Sequence, residues 1–129
     1  MTEVSTIYAR RNVSAMHNLH SCRNKDYGKV KFNTNNLFPH ELSKCIVSWN
    51  LLKADHDIIT EAIFTNGKRA DIYDLTTNII YEVLNTEKLE NIDLKQAKYP
   101  APIIPISCKD LCLGSLDGLL RSFEKRLEI

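Results

Sequence analysis

The pattern of apolar and polar positions changes period along the chain. Leu42, Cys45, Ile46, Trp49 and Leu52 recur at helical spacing behind Pro39 and Glu41, two residues suited to a first helical turn. They predict a helix that ends near Ala54, with Trp49 read as a core residue in preference to an exposed surface on which a base could stack. Beyond it, Ile58, Ile59 and Ala62-Ile63-Phe64 predict a strand, Asn66-Gly67 a hairpin turn, and Ala70-Ile72-Tyr73 the next strand. Thr76-Thr77-Asn78 marks a second turn. The run Ile79 to Leu84 is so apolar that a central strand covered on both faces is expected.

Glu87 to Lys98 carries Leu89, Ile92, Leu94 and Ala97 on what would be an inward helical face, and Pro100-Ala101-Pro102 ends it. Ile103 to Ile106 is a short strand whose Pro105 argues for an edge or a strand end. Leu111 to Leu127 returns to helical spacing, and a further helix is expected around Ser5 to His20 ahead of the polar run Ser21 to Asn36. The fold class is α/β, in the order helix, three strands, helix, strand, with flanking helices. Residues 1–129 read as a single domain. It divides into a basic N-terminal segment (1–36), a core (39–107) and a C-terminal helical cover (109–129).

Composition narrows the function classes. A chain of 129 residues buries roughly two-thirds of its unfolded surface without needing a disulfide or structural metal. No apolar stretch approaches the roughly 20 residues of a membrane span. Arg10, Arg11 and His17 stand where a signal peptide would be apolar, so a cytoplasmic protein is expected. The four cysteines lack CxxC spacing, and His17, His20 and Cys22 with Cys108 and Cys112 have no zinc-knuckle pattern. Free thiols are the simpler reading. The net charge of +1 gives no global attraction to nucleic acid, but residues 1–44 hold seven Lys/Arg against three Asp/Glu. A solvated face and a phosphate-contacting arm explain that excess equally well.

Glu82 interrupts the most apolar strand, and an acid buried there needs a cation or another partner. Asp71 lies eleven residues earlier on the adjoining strand. Lys68 and Arg69 precede it and could contact phosphate, although a charged hairpin turn accounts for them as well. His40 and His56 flank the first helix. Either could meet phosphate, while an exposed polar histidine is commoner.

The element order, with Glu41 on the first helix, Asp71 on the second strand and Glu82 on the third, resembles the PD-(D/E)XK nuclease superfamily. Segment Lys68-Arg69-Ala70-Asp71 followed by Glu82-Val83 looks especially like its small archaeal, phage and plasmid members. The resemblance implies a restriction-endonuclease-like core and metal-dependent hydrolysis of phosphodiester bonds in DNA. By it, Asp71 and Glu82 are the principal Mg²⁺ ligands, with the Val83 carbonyl a third and Glu41 a direct or water-bridged fourth. Mn²⁺ would substitute, and small members pair as homodimers. Leu84 departs from the pattern, standing where the family has lysine. Members whose lysine has moved to the next helix point to Lys98, ahead of Lys95, as the residue that assists the attacking water, because a residue near the helix end can turn back toward the sheet. Nucleic-acid contacts would fall to Lys68, Arg69 and Lys95. Leu84 equally fits a catalytically inactive nuclease fold that binds nucleic acid or a protein partner.

Overall fold

A computed structural model describes Asn12, residues 22–84, Ile92 and residues 95–108. The predicted helix around Ser5 to His20 and the cover over 109–129 lie outside the described residues, as does most of the 87–98 helix. Helix α1 spans Phe38–Lys53, begins with Pro39 in its first turn, and closes at Ala54, whose N–H reaches back to the carbonyls of Asn50 and Leu51. Four strands follow: β1 (Ile58–Ile63), β2 (Arg69–Asp74), β3 (Ile79–Leu84) and β4 (Ile103–Ser107). They form one mixed sheet in the order β1-β2-β3-β4, antiparallel through β3 and parallel between β3 and β4. The architecture is α/β, and β3 is central.

Local chemistry explains the turns. Gly67 adopts φ 84°, and the Asn66 side chain accepts from the Lys68 N–H, closing the β1–β2 hairpin. Asn78, at φ 59°, closes the next, and its side-chain oxygen accepts from the Tyr73 hydroxyl. The parallel step to β4 needs a crossover. Ile92, Lys95 and Gln96 are helical, and Gln96 anchors this crossover by accepting from the Ile103 N–H and donating to the Ala101 carbonyl. Ala97, expected inward, is exposed because the helix has already turned out beside it.

The segment before α1 covers the outer edge of β1, which blunts pairing with other chains. Cys22 and Tyr27 bridge to Phe64 and Ile59, and the Lys31 N–H donates to Thr60. The main core holds Cys22, Ile59, Phe64, Tyr73, Leu75 and Ile80, with Tyr99 set edge-on to Phe64. Cys22, Cys45 and Cys108 are free thiols, and Cys112 lies outside the described residues.

Helix α1 corrects one expectation. The side turned into the protein carries Glu41, Ser43, Lys44 and Ser48, whereas Trp49 is 67% exposed and no core residue. Small serines let the helix lie close to the sheet. The remaining two buried side chains are there for their charge.

Candidate functional site

Between β2 and β3 the backbone ladder runs from Asp74↔Ile79 to Ile72↔Tyr81. One step further, Asp71 faces Glu82, and side chains take over from the ladder. The Asp71 N–H donates to Glu82 Oε1 at 3.1 Å, and the Val83 N–H donates to Asp71 Oδ2 at 2.7 Å. Two carboxylates are thus fixed side by side in a sheet, each held by the other strand. Past Ile72↔Tyr81 the two strands are joined through their own acids.

Glu61 on β1 marks the same level of the sheet. It holds φ 51°, a left-handed conformation costly for a residue with a side chain. Asn24 stabilises that distortion by donating to the Glu61 carbonyl and accepting from the Ile63 N–H. The core cluster accordingly takes Ile59 and Ala62 from β1, three residues apart rather than two or four.

From Glu61 an alternating chain of charges leads across α1. Arg69 lies 3.7 Å from Glu61, and Lys44 Nζ donates to Glu61 Oε1 and Glu41 Oε1 at 2.7 Å each, with no solvent exposure. Glu41 Oε2 meets His40 Nδ1 at 2.7 Å, and His40 Nε2 lies 3.4 Å from Asp71 Oδ2. On the far side, Lys95 Nζ stands 3.6 Å from Glu82 Oε2. Burial alone would push the Glu41 carboxyl up. The Asn33 N–H, Lys44 and His40 outweigh burial and hold it at about 2. Asp71, and then Glu41, raise His40 to about 9 against the effect of burial, so it is an imidazolium at neutral pH.

The structure therefore brings Asp71, Glu82 and Glu41 into one connected cluster. It adds His40, Lys44 and Glu61, which the sequence reading did not place there. His40 is only 12% exposed at its side chain because two acids need its charge, against the expectation of an exposed histidine. The i, i+3 spacing of Glu41 and Lys44 was the one available signal. Lys95 stands at the cluster, while Lys98 is exposed, with its backbone engaged by Lys95 and Asn66. Leu84 is buried. Lys68 is exposed on the hairpin, and Arg69 is directed to Glu61. His56 belongs elsewhere: it bonds the fully buried Asp74, which also accepts from the Thr76 N–H and the Thr77 hydroxyl. That group closes the β2–β3 turn.

As placed, no three His, Cys, Asp or Glu side chains among the described residues stand close enough to hold an ion between them. The donor chemistry nonetheless suits a hard cation, because the acids offer carboxylate oxygen alone and already draw His40, Lys44 and Lys95 against them. Among the described residues, no helix is long and apolar enough to cross a membrane. Compared with family models, curated proteins and solved structures, the chain matches none.

Proposed function

We propose that this chain is a metal-dependent nuclease with a restriction-endonuclease-like core that hydrolyses phosphodiester bonds in DNA. One observation carries the reading: Asp71 and Glu82 face each other where the β2–β3 ladder gives way, with Glu41 joined to Asp71 through His40. A helix, an antiparallel meander and a parallel fourth strand support the same reading. Asp71, Glu82 and the Val83 carbonyl would hold Mg²⁺ or Mn²⁺, with Glu41 direct or through water. When bound, the ion would offset charge on the phosphate and acidify a coordinated water. Lys95 takes the place of the lysine that Leu84 lacks, since its ammonium stands beside Glu82 and can orient a water there. Lys68 and Arg69, on the hairpin next to Asp71, would contact flanking phosphates.

The test is cleavage of linear, circular, single-stranded and branched DNA with Mg²⁺ or Mn²⁺. Wild type should cut, Asp71→Ala and Glu82→Ala should not, and Lys95→Ala should be slower by about a hundredfold or more, the usual scale for a lost proton-transfer group. Lys98→Ala should cut like wild type. A second reading, a nuclease fold that binds nucleic acid without cutting it, is favoured by buried Leu84 and by acids already paired with protein cations. Wild type that binds DNA but leaves it intact with either metal would select that reading.

A further inference from the structure

Helix α1 turns an apolar stripe outward. Phe38, Leu42, Cys45 and Trp49 follow at intervals of four, three and four residues, the spacing of one helix face, and Phe38 and Trp49 are 41% and 67% exposed. At the N-terminal end of the stripe lies a cavity of about 510 Å³. It is lined by Phe32, itself 65% exposed, and by Phe38, Leu42 and Cys45. That volume is within the range of small-molecule sites. Glu41 lines the cavity and also belongs to the chain of charges that leads to Asp71, so the two sites adjoin.

The residues leading to Phe32 are basic. Arg23, Lys25, Lys29 and Lys31 stand against Asp26 alone, and Arg23, Lys25 and Lys29 are exposed. Exposed aromatic rings beside a basic strand of chain are the two parts of a single-strand binding surface: bases stack on the rings while cations follow the phosphates. A duplex hides the faces of its bases. An interface with a second copy would account for the stripe but leave the basic run without a role.

We propose that this cavity and stripe bind the bases of a single-stranded segment of nucleic acid, with Phe32, Phe38 and Trp49 as stacking platforms and residues 23–31 along the backbone. This deepens the nuclease reading, on which it rests for the destination of the strand. The surface would deliver an unpaired strand to the acids at Asp71 and Glu82.

The experiment is a titration of labelled oligothymidylate of twelve nucleotides, and of a duplex of equal length, against the full chain in EDTA, so that binding is read apart from cleavage. Anisotropy and the emission of the single tryptophan, Trp49, are the readouts. Wild type should bind the single strand more tightly than the duplex with quenching of Trp49. Trp49→Ala and the Phe32→Ala/Phe38→Ala double variant, all at exposed positions, should weaken binding by about 5- to 100-fold per ring. Equal or tighter duplex binding, no single-strand binding, or double-variant affinity equal to wild type would overturn the proposal. So would a wild-type dimer in sedimentation that Trp49→Ala dissociates, since the stripe would then belong to a second copy. Single-strand binding without metal-dependent cutting would leave this inference standing and remove the nuclease reading. Cutting of duplex alone, without single-strand binding, would do the reverse.

Discussion

A lysine ammonium with no solvent exposure, 2.7 Å from each of two glutamates, has exchanged its hydration for two ion pairs. Removing it takes from both carboxylates the buried cation they share, leaving Glu61 to the longer Arg69 contact and Glu41 to His40. Lys44→Met should therefore cost about 3–5 kcal/mol in urea unfolding, the scale for breaking a buried pair, and Lys44→Arg less, because the charge is retained. His40 links to pH. Folding raises it from 6.5 to about 9, so its stabilisation is complete below pH 6.5 and is lost as pH rises through about 9. Thermal melts should show wild type losing on the order of 2 kcal/mol across that window, after screening by nearby solvent. His40→Gln should show no such loss. At this scale the sequence was legible where an acid interrupted an apolar run, as at Glu82, and where an acid opened a helix, as at Glu41. Glu61 was not, and Lys44 only through its i, i+3 spacing from Glu41, because the contact between them joins residues seventeen apart.

Strands were easier to read than the helix. Ile79 to Leu84 and the Asn66-Gly67 turn carry their signals locally, and β3 and its hairpin neighbour fall where those signals place them. The stripe Leu42, Cys45, Trp49 was also real, but periodicity does not say which side of a helix meets the sheet. Paired charges decided it. The same packing leaves the Ser48 hydroxyl buried without a hydrogen-bond partner among the described residues. Ser48→Ala should be neutral or stabilising by up to about 1 kcal/mol in chemical unfolding. Asn24→Ala should act the other way, because the Glu61 carbonyl and the Ile63 N–H would both lose their partner. A loss of about 1–3 kcal/mol is expected.

Over the whole molecule, the sheet brings Glu61, Asp71 and Glu82 to one level, and α1 lies across it with His40 against Asp71 and Lys44 against Glu61. The outward side of the same helix carries the exposed Phe38 and Trp49. The arrangement joins the fold to a concentration of negative charge that the protein's own cations and backbone N–H groups meet. A divalent ion that prefers this cluster should raise the melting temperature, and should not do so in Asp71→Asn. The most direct measurement is a titration of the ¹⁵N-labelled chain with Mn²⁺, whose paramagnetism broadens the amide signals nearest the bound ion. The account predicts that the Asp71, Glu82 and Val83 signals are lost first, before those of Asp74 and Thr77, and that Glu82→Gln abolishes this order. Uniform broadening, or selective loss around Asp74 in place of Asp71 and Glu82, would contradict it.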